Sequence, residues 1–444
     1  MRPILRQFLN KDLIIAYLYR GGGVLLTFVL NIVLARVYGP SLSGEYYVLY
    51  NFLALVASIS FLGFGYVIVH FLTPHYGENG DHEKGNLLLT ISLTMLLAMV
   101  CITGAAVYIF RGSLSVYLFG NPGRENLISL VIVALIPYSG IFLLAEMLKA
   151  LKKPNQSILA ANIIGNGILI GLLLLYRGTD ILRIYSCFII ANALSVLLLV
   201  VSFRRLFKSR GVKVLPPKEV RELYPENRAL CRDYVKENLT LSLVAVSNIL
   251  LSVFDTFVIS HQLTFTDVAL YSIANKVVSF GSIILTTVNS LIGFQIADLS
   301  YKNDKKNLSG ILVKYTRIMM PLGVVYYIVA AVFALAVPFL FGQEYRSSIE
   351  LCYLLALGQF ISIITGPCSY FAIMTGHARK YTEIVITSAA ISVVANLVLV
   401  PLLGIHGAVI SNLITLAYKN VHTFIFTKNL VNLKIADFLR LRGC

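Results

Sequence analysis

Long apolar runs recur along the whole 444-residue chain, and no stretch of even 60 residues lacks one. A helix needs roughly 20 mostly apolar residues to cross the hydrocarbon core of a bilayer. Twelve segments meet that measure, at about 13–38, 43–72, 86–110, 127–150, 156–176, 181–203, 237–262, 267–298, 310–338, 349–375, 380–400 and 404–427. Charged residues make up 13% of the chain and apolar ones 57%, against about 25% charged in a soluble domain. A string of soluble domains is therefore excluded, and the expected fold class is all-α integral membrane, with about twelve transmembrane helices.

The one sizeable interruption is the charged segment 204–236, which contains Pro216, Pro217 and Pro225. It reads as a basic cytoplasmic linker between a six-helix lobe at 1–203 and another at 237–444. The 37 Lys and Arg against 21 Asp and Glu, net +16, admit a nucleic acid, an anionic membrane surface or an anionic substrate as partner. Their placement decides most of it, because cytoplasmic loops collect Lys and Arg. With the loops assigned alternately and the N-terminus inside, 27 cations fall on inner segments, six on outer ones (Arg36, Arg111, Arg124, Arg177, Arg183, Arg346) and four inside spans. Both termini are expected in the cytoplasm, and no nucleic-acid partner is expected.

Six helices per half place equivalent helices in the same orientation, a parallel repeat about a pseudo-two-fold axis along the membrane normal. Arg36 and His261, Tyr46 and Tyr271, and Leu151 and Gly376 all lie 225 positions apart, and Asn192 and Asn412 lie 220 apart. A duplicated six-helix unit accounts for these echoes.

The chain carries no phosphate loop of the GxxxxGK[ST] kind and no HExxH pair. Its six cysteines form no CxxC or Cys/His ligand spacing, so neither a metal site nor a cofactor is expected. The glycines Gly165, Gly167 and Gly171 lie inside a span and read as helix packing.

Ionisable groups deep in a bilayer are costly and face a partner or an aqueous cavity. Arg20 lies nine residues past Lys11 and Lys276 nine past Asp267, so each is about 13 Å along its helix from the membrane edge. Asp255, six residues from His261, is about 9 Å in. These three either form a buried ion network that fixes packing or mark a basic central cavity for an anionic substrate. In the second reading Arg20 offers a planar fork and Lys276 a mobile point charge. Asp255 then compensates the empty cavity or couples transport to protons or sodium. Asn51, 225 positions before Lys276, either lines the same cavity or glues helices together. Lys419, in the inner third of the last span, either snorkels to the interface or faces the cavity. Glu146 and Lys149 are spaced to pair, and Arg317 reads as an interfacial anchor. Three consecutive glycines, Gly21, Gly22 and Gly23, each weaken a helix by about 1 kcal/mol relative to Ala. They allow either close packing or a hinge beside Arg20.

The stretches Leu34-Ala-Arg-Val-Tyr-Gly-Pro-Ser-Leu-Ser-Gly-Glu-Tyr46, Phe61-Leu-Gly-Phe-Gly65 and Gly366-Pro-Cys-Ser-Tyr-Phe-Ala-Ile-Met-Thr-Gly-His-Ala-Arg379 resemble polysaccharide flippases of the Wzx type. These belong to the MATE-like multidrug/oligosaccharidyl-lipid/polysaccharide exporter superfamily. The resemblance continues into Ala395-Asn-Leu-Val-Leu-Val-Pro-Leu-Leu-Gly-Ile-His-Gly-Ala408. It implies two six-helix lobes around a basic cavity and movement of undecaprenyl-diphosphate-linked oligosaccharide, such as an O-antigen or exopolysaccharide repeat unit, across the bacterial inner membrane. The implied partners are that lipid-linked substrate, membrane lipids, and a polysaccharide polymerase and glycosyltransferases. The implied protein is a transporter and not an enzyme, so no catalytic residue is expected. Two competing readings are a cation-coupled multidrug antiporter of the same superfamily and a membrane glycosyltransferase or polymerase. The first wants acidic residues in its cavity, and the second an outer loop with carboxylates that this sequence lacks.

Overall fold

A computed structural model describes residues 11–77, 80–176, 178–302 and 304–439, and among these every regular element is helical. The chain forms two compact units, Met1–Ile249 and Leu250–Cys444.

The first unit begins with α1 (Lys11–Val33), which passes through a π-helical turn at Leu34–Tyr38 into α2 (Gly39–Phe61) and α3 (Phe64–Leu72). The hairpin between α1 and α2 is built from Gly39 at φ 73° and Pro40 in the first turn of the next helix. Only glycine adopts that φ without strain. Tyr38 fastens the hairpin to the end of a later helix, its hydroxyl donating to the Leu173 carbonyl at 2.8 Å and to the Tyr176 carbonyl at 2.5 Å. Next come α4 (His82–Ile109), α5 (Arg111–Phe119), α6 (Glu125–Ala150), α7 (Pro154–Ile158), α8 (Gly165–Leu175) and α9 (Ile181–Ser209). Asp81 caps α4, accepting from the Lys84 amide at 3.2 Å. Asp180 caps α9, accepting from the Leu182 amide at 3.0 Å. Such caps satisfy amides that the helix leaves without partners.

The segment after α9 is ordered against α4. The Asn86 side chain donates to the Gly211 carbonyl at 2.9 Å and accepts from the Lys213 amide at 3.0 Å, and Thr90 accepts from the Leu215 amide at 2.9 Å. Two further helices follow, α10 (Pro217–Leu223) and the 35-residue α11 (Arg228–Gln262). Much of the 204–236 segment is thus helical or bonded to the first unit, and the division between units falls inside α11.

The second unit continues with α12 (Phe265–Val278), α13 (Gly281–Tyr301), α14 (Lys305–Ala334), α15 (Val337–Phe341), α16 (Ser348–Ile364), α17 (Cys368–Met374), α18 (Ala378–Leu403), α19 (Ile405–Leu430) and α20 (Ile435–Leu439). Thr264 and Asp267 form a reciprocal capping box at the start of α12, and Asp304 caps α14 through the Asn307 amide at 3.1 Å.

Among the described residues, eight helices are long and apolar enough to cross a membrane, or up to ten if each of two bent pairs is one span. The twelve spans read from sequence exceed this for two physical reasons. Gly21–Phe61 is counted as one 41-residue span although the chain turns at Gly39, and α19 carries Asn412, Lys419, Asn420 and His422, which lower its hydropathy. Large apolar side chains face outward across the surface, among them Leu175, Phe339 and Leu402, as a lipid-facing surface requires.

Candidate functional site

Asp255 lies on α11 and is almost wholly buried. Three side chains of the second unit converge on its carboxylate. The Tyr271 hydroxyl on α12 donates to Oδ2, the Asn396 amide on α18 donates to Oδ1 at 2.6 Å, and the Asn412 amide on α19 donates to Oδ2 at 3.1 Å. Asn396 is held in turn by the Ser392 carbonyl at 2.9 Å, while its own Oδ1 is buried with no hydrogen-bond partner. A buried charge is tolerated only where hydrogen bonds replace its hydration, and here four helices contribute to one carboxylate.

Lys276 stands in the last turn of α12 and is half-buried. The helix stops two residues later, and α13 leaves at 42° to it. Carbonyls freed at such a break must be satisfied locally inside a membrane. The Lys276 carbonyl accepts from the Ser279 hydroxyl at 2.8 Å, and the Val278 carbonyl accepts from the Tyr326 hydroxyl at 2.7 Å. A cation at the negative end of a helix dipole is favourably placed. Interrupted membrane helices with exposed ends are where transporters of several folds bind ions and anions.

The remaining sequence-predicted residues are spread over both units. Arg20, Gly21, Gly22 and Gly23 lie within α1, which runs on as α-helix past the glycines to Val33. The Arg20 side chain lies outside the described residues. A Cβ on Gly23 would stand 2.9 Å from Asn162 Cβ, whereas Gly21 faces open space. Asn51 is half-buried on α2, and Lys419 is half-buried on α19 beside Asn420, whose amide donates to the Ser362 hydroxyl at 2.7 Å. Glu146 and Lys149 pair at 2.6 Å, as their spacing implies. Arg317 binds the carbonyls of Asp437 at 2.5 Å and Phe438 at 3.3 Å, and so holds α20 against α14.

Sequence reasoning did not single out three features. Asn396 as the partner of Asp255 is one. Buried Glu45, which pairs with Arg124 at 2.7 Å, is another. The third is an aromatic series in the first unit. Tyr50 and Tyr138 meet edge-on at 6.3 Å, Tyr138 and Phe142 at 5.0 Å, and Phe142 and Phe61 at 6.2 Å between ring centroids. Phe61, Tyr138 and Phe142 border a cavity of about 200 Å³ whose other walls are small residues of α2 and α6, the break between α2 and α3 with Gly65, and a stretch of α11. The signal that could have found it is the pairing of small residues, Ala54, Ala57 and Ser58, with a ring at Phe61 on one helix.

Residues 9–294 match the model of the family described as polysaccharide biosynthesis protein. The chain belongs to that family. No curated protein matches it in sequence. Among solved structures, it superimposes on an inward-facing multidrug resistance MATE family transporter of the MOP superfamily with a TM-score of 0.73 and 15% identity, covering 96% of this chain and 100% of the other. It superimposes on the lipid II flippase MurJ in an inward closed conformation with a TM-score of 0.71 and 14% identity, covering 96% and 89%. At these identities the likeness establishes the fold of this family member: an all-helical, multi-pass membrane protein of the MATE-like architecture.

Proposed function

We propose that the protein is a flippase that carries an undecaprenyl-diphosphate-linked oligosaccharide from the inner to the outer leaflet of the bacterial inner membrane by alternating access. The observation that carries this reading is the polysaccharide biosynthesis family match, joined to a deep cation at the end of a broken membrane helix. In this reading the diphosphate meets the Lys276 ammonium and Arg20 on α1. Asn51 and Lys419 contribute further polar contacts. Protons or sodium couple through Asp255, where the unpaired Asn396 Oδ1 leaves one acceptor beside the carboxylate. No cofactor takes part. Similarity in fold to a flippase of lipid II supports a substrate that is a lipid bearing a polar head.

The same fold also serves multidrug transporters. A carrier of cationic drugs wants a carboxylate that faces its ligand, and Asp255 is instead closed in by three donors.

The test is a headgroup-accessibility assay in proteoliposomes loaded with fluorescent, oligosaccharide-bearing polyprenyl diphosphate. Replacing Arg20 and Lys276 together by Gln is expected to reduce translocation at least tenfold at normal protein levels. Intact translocation in that variant would overturn the assignment of these cations.

A further inference from the structure

A groove of about 780 Å³ opens on the first unit between α4 and the start of α11. Four of its lining residues, Arg232, Lys236, Leu239 and Leu243, follow one another along α11 at steps of four, three and four, so they share one face of the helix. The cations come first and the leucines last, with about 16 Å of helix from Arg232 to Leu243. The helix as a whole has the same division. Its charged residues stand at Arg228, Arg232, Asp233, Lys236 and Glu237, and none follows until Asp255. A helix of 35 residues is about 52 Å long, whereas the hydrocarbon core takes about 30 Å. Its charged start therefore lies at the membrane surface, and the groove runs from that surface into the apolar layer.

The groove is held in shape from behind. Tyr234 is wholly buried, and its hydroxyl shares a hydrogen bond with the Ser92 hydroxyl at 2.5 Å, which ties α11 to α4 next to Ile91 in the groove wall. The four lining side chains themselves are open to an occupant: Leu239 is 51% and Leu243 60% exposed, and Arg232 and Lys236 are exposed. No carboxylate lines the groove. Arg232 meets the neighbouring Asp233 at 3.6 Å with both side chains largely exposed, a pair that water screens and a phosphate can replace. Lys236 makes no ion pair among the described residues. The segment 204–236 carries ten Lys and Arg against four Asp and Glu, and basic clusters beside a membrane helix hold anionic lipid headgroups. A soluble phosphate would leave the leucines bare, and a zwitterionic lipid would bring the cations no net counter-charge. We propose that this groove is a site for an anionic phospholipid of the surrounding bilayer, its phosphate between Arg232 and Lys236 and an acyl chain along Leu239 and Leu243. The groove opens on the surface, where phospholipid outnumbers any transported lipid, so the site does not depend on what the protein carries.

The full chain contains no tryptophan, so Leu243→Trp, at an exposed position, supplies a lone fluorophore at the apolar end of the groove. That variant is reconstituted into bilayers of phosphatidylcholine mixed with phosphatidylglycerol, one of the two brominated in its acyl chains, and quenching gives the relative affinity of the groove for the two lipids. Phosphatidylglycerol is expected to be favoured about tenfold. Adding Arg232→Gln with Lys236→Gln should bring the ratio close to one at unchanged melting temperature. Adding Arg204→Gln with Arg205→Gln instead, which removes the same charge from the end of α9, should leave the ratio as it was. No preference in the first variant, a preference indifferent to Arg232 and Lys236, or an equal loss in the α9 variant would each overturn the site. Undecaprenyl phosphate added to the same bilayers tests the other source of a phosphate on a chain. No displacement of brominated phosphatidylglycerol is expected, and displacement by a small fraction of its concentration would give the groove to an isoprenoid lipid and overturn the proposal. Native mass spectrometry of the unaltered chain repeats the comparison without the fluorophore. Retention of phosphatidylglycerol no better than that of phosphatidylcholine would overturn the proposal equally.

Discussion

One hydrogen bond is built in both units, and the group that receives it differs. In the first unit the Tyr47 hydroxyl on α2 donates to Asn31 on α1 at 2.8 Å, across 16 residues of chain. In the second the Tyr271 hydroxyl on α12 donates to Asp255 on α11, also across 16 residues. The tyrosine counterpart of Tyr271 is therefore Tyr47, one position from the Tyr46 suggested by sequence spacing. The surroundings follow the difference in charge. Asn31 needs only one further bond, from its amide to the Thr27 carbonyl at 2.6 Å. Asp255 draws in Asn396 and Asn412. A neutral amide at this place is what packing alone requires. The second unit maintains a carboxylate there by adding two donors from distant helices, more than a neutral amide at this place needs.

Exchanging the two groups breaks this comparison most directly. Asn31→Asp would bury a carboxylate with one donor and turn its second oxygen toward the Thr27 carbonyl. It is expected to cost about 3 kcal/mol or more, seen as loss of folded protein in fluorescence-detected size exclusion. Asp255→Asn keeps an acceptor for Tyr271 and loses about 1 to 2 kcal/mol, so the protein folds. Its translocation is expected to fall at least tenfold under an ion gradient. Equal destabilisation by both exchanges would remove the argument that Asp255 exceeds what packing needs.

The second helix of each unit is also broken, and the breaks are held differently. Between α2 and α3, Leu62 takes φ 51° and the Gly63 amide donates to Asn238 Oδ1 on α11 at 2.7 Å. A Cβ on Gly63 would stand 2.6 Å from the Asn238 carbonyl oxygen. Between α12 and α13, a Cβ on Gly281 would stand 2.5 Å from the Tyr326 ring. Backbone cannot give way, whereas a ring can shift partly. Gly63→Ala is expected to cost about 3 kcal/mol and Gly281→Ala about 1 to 2, measured as thermal stability in detergent. The reverse order would mean that Tyr326 is the more rigid support. Tyr326 also binds the Val278 carbonyl two residues after Lys276, so Gly281→Ala should weaken headgroup translocation beyond its effect on stability.

The apolar runs made the membrane fold legible, because few alternatives can hold so much apolar surface. The Gly39 hairpin and the Glu146–Lys149 pair were legible for local reasons: one φ that needs glycine and one turn of helix. Asp255 stood out by depth alone. Its partner Asn396 did not, since 141 residues separate the two and buried asparagines are common between membrane helices. Neither break contains a proline, so Leu62 and Ser279 carried no strong signal, and the glycines beside them resemble many other glycines in the chain. The aromatic cavity was hidden for the same reason as Asn396, because its walls come from segments far apart in sequence: α2 with the start of α3, then α6 and α11.

The smallest expected effects lie at the start of the third helix in each unit. Asp81 caps α4 and Asp304 caps α14. The Lys84 side chain and amide hold the Asp81 carboxyl below the usual carboxylate range, and the Asn307 amide and side chain do the same for Asp304. A carboxyl lowered in the folded state stabilises above its unfolded value, near pH 4, and that support is lost as pH falls through the lower folded value. Asp81→Ala is expected to cost about 1 kcal/mol at pH 7, with the gap to the unaltered protein closing below pH 4. Asp304→Ala should act in the same direction. The two need not match, because the third helices bear different loads. Near its cap, α4 holds residues 211–215 through Asn86 and Thr90, whereas α14 holds α20 through Arg317, three turns further along. Fraying the first turn of α4 should therefore loosen the chain that leads into α11, while fraying α14 leaves Arg317 in place. Hydrogen exchange at Lys213 and Leu215 tests this. Faster exchange in Asp81→Ala, without a matching change at residues 435–439 in Asp304→Ala, is the expected result, and equal responses would mean that the two helix starts are mechanically equivalent after all.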